Sequence, residues 1–257
     1  MAYRLVQAGS GEQRPLVILY LVGAQVDDAV RASLGPTPAI AAFDDARGEG
    51  LDATVTRVGR AVDAEIGDVV LVGFSAGCQA VRRELVAGGD PAAVVTIDGT
   101  HANLPPEGWQ IEIWQKLARR ARHGERLFVA TCTQNTYVEH LPKDQRYAAV
   151  VTVLRAATGF ACEAADAPLG EHEGSLHVYS FESATTDHHA HVAQQRVVLP
   201  EMLRRYVAPW LEGRRALPVQ DVAAVQAAVA LSLDRIARSL SPDGTPGVCA
   251  EAPTPEA

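Results

Sequence analysis

The chain has 257 residues, of which 47% are hydrophobic and 21% charged, and carries a formal net charge of -8. That length and apolar share suit one substantial core plus an appendage, and the acidic balance supplies neither the basic field nucleic acid requires nor a polybasic segment for anionic lipid. Four cysteines, Cys78, Cys132, Cys162 and Cys249, lie far apart without a C-x-x-C pair, so neither a zinc site nor a disulfide framework is expected and the thiols read as reduced.

In chain order, "YRLVQ" (3–7) can form a short opening strand, and "LVILYLV" (16–22) reads as a buried one. Arg14 ahead of that run gives a superficial likeness to a signal peptide. The run is too short and starts too late, and Glu12 interrupts its approach, so a strand and a cytoplasmic location are expected. No run approaches the ~18 apolar residues of a membrane span. Pro36 and Pro38 punctuate 24–50, which reads mostly as loop with a short helix. Leu51, Val55, Val58, Val62 and Ile66 recur at three- and four-residue steps and predict an amphipathic helix over 51–66.

Further strands are predicted at "VVLVGF" (69–74), "AVVTID" (93–98), "LFVATC" (127–132) and "LHVYSF" (176–181), with helices near 77–87, 107–122, 144–157 and 190–211. This alternation is that of an α/β fold: a mostly parallel central sheet with helices on both faces. The main domain is drawn over 1–213. Beyond it, Val222, Val225, Val229, Leu233, Ile236 and Leu240 share one face of a predicted C-terminal helix over 214–240. Such a stripe must be covered, either by packing back on the domain or by a second copy in a homodimer. The Pro- and Gly-rich 241–257 is expected to be disordered.

The stretch "VVLVGFSAGCQAVRRELV" (69–86) joins an apolar strand, a Gly-x-Ser-x-Gly pentapeptide and a helical face. A serine hydroxyl attacks a carbonyl only if a base takes its proton and a sharp turn lifts it clear of the backbone. Gly73 and Gly77 flank Ser75 at the positions where strand and helix must approach closely. The alternative is a plain glycine turn. The helix that starts there would aim its N–H groups at the carbonyl, with the Ala76 amide as one oxyanion donor. Phe74, next to the serine, is a candidate substrate contact.

These residues resemble the nucleophile elbow of the α/β-hydrolase superfamily, and the order of elements over about 15–211 agrees. The resemblance implies a compact α/β-hydrolase-like fold and a serine esterase, with Ser75 as nucleophile and Ala76 as oxyanion donor. Its second donor comes from the loop after an earlier central strand, often opening with His-Gly. Here "YLVGAQ" has Val22 at the His position, and Gly23 or Ala24 would donate.

The family order of serine, acid, histidine calls for a base late in the chain. "DHHAH" after the 176–181 strand offers His191 first, then His188, then His189. The acid most often follows the penultimate strand, where the first carboxylate is Glu139. Some members take it one strand earlier, where Asp98 closes "VVTID"; Asp98 is preferred, the bland reading being a turn cap. The resemblance therefore implies attack by Ser75 on a small-molecule or polymer ester, an acyl-enzyme and its hydrolysis, with no cofactor. Trp109 and Trp114, in the inserted 107–122 helix, can line an acyl pocket or a lid, or pack the core. Two rival readings stand beside this one: a catalytically silent scaffold on the same fold, and a metal-dependent hydrolase on Asp187, His188 and His191, for which His101 is the other obvious ligand. No metal is assigned.

Overall fold

The computed structural model of the chain describes residues 3–44, 50–133, 147–163, 169–181 and 194–213. In order these form β1 (Arg4–Gln7), β2 (Gln13–Tyr20), α1 (Asp27–Leu34), β3 (Ala39–Phe43), α2 (Leu51–Val62) and β4 (Glu65–Phe74). They continue with α3 (Gly77–Val86), β5 (Ala93–Ile97), β6 (Ala102–Asn103), α4 (Gly108–Arg122), β7 (Leu127–Thr133), β8 (Tyr147–Ala148), α5 (Val150–Thr158), β9 (Leu169–Glu173) and β10 (Leu176–Phe181). A last helical stretch alternates π turns (Gln194–Val198, Leu203–Val207) with α turns (Leu199–Met202, Ala208–Leu211). Pro200 and Pro209 stand in the first turn of those α segments, where a proline's missing N–H is tolerated.

Eight strands form one sheet in the order β1-β3-β2-β4-β5-β7-β10-β9. The six inner strands run parallel, while β1 and β9 pair antiparallel at the two edges. Alternate residues of β2 feed two separate cores, as the strand period requires: Leu16, Ile18 and Tyr20 face α2, α3, α4 and α5, whereas Val17 and Leu19 face α1 and the last helix. All five are fully buried, which is why these strands read as continuous apolar runs rather than alternating ones.

Several expectations need correction. The 24–50 stretch contains a full strand, β3, whose five residues are all buried between β1 and β2. Prolines precede this strand and do not interrupt it, so its ladder is intact. The 51–66 helix stops at Val62, where Asp63 turns left-handed at φ 51°, and Ile66 belongs to β4. A two-residue strand, β8, precedes α5 in the expected 144–157 helix, and β9 adds an unexpected edge. The predicted helix over 214–240 and the tail 241–257 lie outside the described residues. Among the described residues no helix is long and apolar enough to cross a membrane.

Candidate active site

The chain leaves β2 for β3 on one side and returns to β4 on the other, so the β2–β4 pair is the point at which strand order reverses. Crevices beyond the carboxyl ends of parallel strands open at such points. Ser75 sits there, between the end of β4 and the start of α3, half-buried and at φ 52°. A non-glycine residue in that region costs energy and persists only where its surroundings impose it.

The imposing contacts are specific. Ser75 donates its N–H to the Ile97 carbonyl at 2.9 Å and accepts at its own carbonyl from Cys78 N at 3.0 Å. A Cβ on Gly73 would lie 2.7 Å from Cys78 Cα, and one on Gly77 would lie 2.2 Å from the Tyr20 carbonyl oxygen. Both glycines of the pentapeptide are thus required by backbone approach, Gly73 to α3 and Gly77 to the end of β2. Gly99 closes the arrangement: a Cβ there would meet the Ser75 carbonyl oxygen at 2.0 Å and Cys78 Sγ at 2.5 Å. Cys78 is fully buried and its thiol donates to the Gly73 carbonyl at 3.2 Å. Burial pushes that thiol well above the usual range, so it is a packing group and not a nucleophile.

The register Phe74↔Ile97 sets Ser75 and Asp98 side by side at the ends of adjacent strands. Asp98 is also left-handed, at φ 46°, and is 5% exposed. Its carboxylate accepts the Thr133 N–H at 3.0 Å and the Thr133 hydroxyl at 3.2 Å to each oxygen, and its own N–H reaches the Thr131 carbonyl and hydroxyl, each at 3.2 Å. A carboxyl group taken out of water needs such donors to replace its lost hydration. No helix starts at Asp98, and the side chain is held by the next strand of the sheet, which the simple turn-cap reading does not anticipate.

The loop beyond Asp98 is tied to α3. Arg82 Nη1 donates to the His101 carbonyl at 2.8 Å, and Gln79 Nε2 donates to the Gly99 carbonyl at 3.0 Å. The His101 ring stands edge-on to Tyr147 with centroids 4.2 Å apart. Tyr147 has its phenol pushed up by burial and by the nearby Asp98 charge.

On the other flank, Gly23 precedes a short 3-10 turn, Ala24–Val26, with Val22 fully buried behind it. Leu21 is left-handed at φ 56° and donates its N–H to the Phe43 carbonyl at 2.8 Å. The Gln25 side chain folds over Gly23, where a Cβ would come within 2.2 Å of Oε1. Gln25 Nε2 donates to Gln195 Oε1 at 2.7 Å, and Gln195 Nε2 donates to the Leu21 carbonyl at 3.1 Å. The loop carrying Gly23 and Ala24 is therefore anchored to the last helix.

The tryptophans separate. Trp114 is fully buried, stacked on Phe128 at 6.0 Å, and packs the core; the reading of it as an acyl-pocket residue is corrected. Trp109 is 46% exposed, donates Nε1 to Glu107 Oε2 at 2.7 Å, and lies under the Arg82 guanidinium at 5.1 Å. Phe74 is half-buried and packs partly on the core face of α1 and the last helix. His188, His189, His191, Asp187 and Glu139 lie outside the described residues. Among the described residues no three His, Cys, Asp or Glu side chains converge as a metal site. Sequence reasoning missed Thr133, Gln79 and Arg82. For Thr133 a signal was present, since it ends a strand of the same parallel run as Asp98.

No protein-family model and no curated protein sequence matches the chain. Among solved structures, TT1662 from Thermus thermophilus is similar at 16% identity and TM-score 0.42, over 82% of this chain and 99% of that one. LpqC, a poly(3-hydroxybutyrate) depolymerase from Bordetella parapertussis, is similar at 17% identity and TM-score 0.42, over 89% and 86%. The AtxE2 isopeptidase is similar at 15% identity and TM-score 0.49, over 88% of this chain and 40% of its own length. The roles of residues in this chain rest on its own geometry. Strand order, switch point and strand–serine–helix turn together give the chain an α/β-hydrolase-like architecture.

Proposed function

We propose that the chain is a serine hydrolase that opens a carboxylic ester through an acyl-enzyme on Ser75. The observation that carries this reading is the left-handed Ser75 at the switch point, its carbonyl close against Gly99, the following Gly77 close against the Tyr20 carbonyl, and the buried, Thr133-held Asp98 on the neighbouring strand end. A plain glycine turn has no need of a strained serine at its apex or of a carboxylate on the neighbouring strand end. In the proposed reaction Ser75 Oγ attacks the acyl carbon while an imidazole from the 182–193 stretch takes its proton. His191 is first choice, His188 second. Asp98 orients that imidazole and balances its charge. The Ala76 N–H, with Gly23 or Ala24, receives the oxyanion. The imidazole then passes its proton to the leaving alcohol, and water releases the acid. An ester substrate is the part drawn from the superfamily resemblance.

The test is labelling by a fluorophosphonate probe alongside hydrolysis of a series of p-nitrophenyl acyl esters. Wild-type labelling and turnover, both abolished in Ser75→Ala and strongly reduced in His191→Ala or His188→Ala, are the expected results. A folded wild-type chain that neither reacts with the probe nor cleaves any ester would return the protein to the silent-scaffold reading.

A further inference from the structure

The loop from β2 to α1 divides its backbone groups unequally. Each carbonyl from Leu21 to Ala24 accepts a hydrogen bond: Leu21 from Gln195 Nε2 at 3.1 Å, Val22 from Arg4 Nη2 at 3.2 Å, Gly23 from the Val26 N–H at 3.2 Å, and Ala24 from the Asp27 N–H. The N–H groups of Gly23 and Ala24, by contrast, donate to no protein acceptor among the described residues. A trans peptide is planar, so a carbonyl gripped on one side sets the direction of the N–H on the other. Arg4, on the Val22 carbonyl, therefore sets the Gly23 N–H, and Val26, on the Gly23 carbonyl, sets that of Ala24. Gln195 grips the same segment from both ends: Nε2 holds the Leu21 carbonyl ahead of it, and Oε1 accepts Gln25 Nε2 behind it at 2.7 Å. Gln195 is 7% exposed. Arg4 is itself locked, with Nε and Nη2 each 3.0 Å from an Asp27 oxygen and Nη1 3.0 Å from Asp44. The loop begins against the serine turn, where a Cβ on Gly77 would lie 3.2 Å from Leu21 Cβ.

We propose that Arg4 and Gln195 are positioning residues that hold the Gly23 and Ala24 N–H groups ready for the oxyanion formed at Ser75. The proposal rests on the serine-hydrolase reading above. Each side chain acts through a loop carbonyl and not on the substrate. Negative charge gathers on the acyl oxygen only as Ser75 Oγ adds, so donors held in place beforehand stabilise the transition state more than the bound ester, and their effect falls on kcat. Removing an oxyanion donor outright costs about 100- to 1,000-fold in kcat. Releasing one tether leaves the donor present but free to turn, for an expected loss of about 10- to 100-fold.

The test compares the full wild-type chain with Arg4→Met and Gln195→Leu on the p-nitrophenyl ester that the wild type cleaves best, and measures inhibition by an alkyl trifluoromethyl ketone, whose serine adduct carries the oxyanion. Each variant is expected to lower kcat about 10- to 100-fold, to change KM less than about threefold, and to weaken the inhibitor by the factor lost from kcat/KM. Gln7→Leu is the structural control. It removes two side-chain hydrogen bonds of the same kind, to the Gly35 and Pro38 carbonyls at 2.9 and 2.8 Å, beside the start of β3 and so at the end of the strands remote from Ser75. It should lower Tm and leave kcat and inhibitor affinity unchanged. Arg4 lies on an edge strand, so Arg4→Met decides the matter if the buried Gln195→Leu does not fold. Wild-type kcat and inhibitor affinity in the folded variants, a loss confined to KM, or an equal kcat loss in Gln7→Leu would each overturn the positioning role while leaving the Ser75 reading intact. A wild-type chain that neither takes the fluorophosphonate label nor cleaves any ester would overturn both.

Discussion

Gly77→Ala tests the geometric core of the site. The added Cβ would lie 2.2 Å from the Tyr20 carbonyl oxygen, 2.7 Å from its carbon and 3.2 Å from Leu21 Cβ. Both Tyr20 atoms are backbone of a central strand, so they cannot swing aside as a side chain could. Restoring ordinary contact requires α3 to retreat by about 1 Å, and overpacking on that scale costs about 1–3 kcal/mol. Alanine recovers part of this through helix propensity, up to about 1 kcal/mol. A net loss of about 1–2 kcal/mol lowers Tm by about 2–8 °C in a domain of this size. Displacing the proposed nucleophile by about 1 Å would cost about 100-fold in rate, so fluorophosphonate labelling of Ser75 should fall far more than stability does. Gly108→Ala is the control. It starts α4, and a Cβ there meets only Glu112 Oε1, at 3.7 Å; it should leave labelling unchanged and Tm equal or slightly raised. If Gly77→Ala matches Gly108→Ala in both thermal denaturation and labelling rate, the close approach of α3 to β2 does not hold and the reasoning fails.

Thr133→Val removes a hydroxyl donor from Asp98 while leaving the backbone N–H; a hydrogen bond to a charged group supports about a tenfold rate loss, which Thr133→Ser should restore, and equal labelling rates in all three would deny Thr133 its positioning role. Trp114→Ala empties a fully buried site against Phe128 and should cost about 3–5 kcal/mol in urea unfolding; a loss below about 1 kcal/mol would contradict its core assignment. His177 is buried beneath Tyr206, and its Nδ1 shares a 2.9 Å hydrogen bond with His172 Nδ1; burial, with His172 nearby, pulls its pKa down to about 3. Below its unfolded pKa of about 6.5 the unfolded chain binds the extra proton. Its contribution is therefore complete above that pH and is lost on acidification, by about 2 kcal/mol between pH 6.5 and 5. His172 is shifted in the same direction. Urea midpoints across that range should fall less steeply in His177→Phe, and parallel slopes in variant and wild type would refute the assignment.

Period and punctuation in the sequence determined the strands of the parallel run around β2, β4, β5, β7 and β10, because residues buried on both faces of a sheet must be apolar without interruption. They also determined Ser75 at a strand-to-helix turn, since only glycine at 73 and 77 admits the backbone approaches that the turn makes. β3 escaped because "AIAAF" is Ala-rich and follows two prolines; its five buried residues owe their strand conformation to β1 and β2 on either side, not to intrinsic propensity. Trp109 and Trp114 could not be separated from composition alone. Five residues apart on a helix is about 140° around its axis, so burial of one turns the other toward solvent, and only the docking of α4 on β7 decides which. Asp98 was visible as a strand-end carboxylate, but its neighbours came from the tertiary structure. The register that sets it beside Ser75 and the donors of Thr133 both depend on strands distant in sequence, and a linear pattern carries no record of which strands lie side by side.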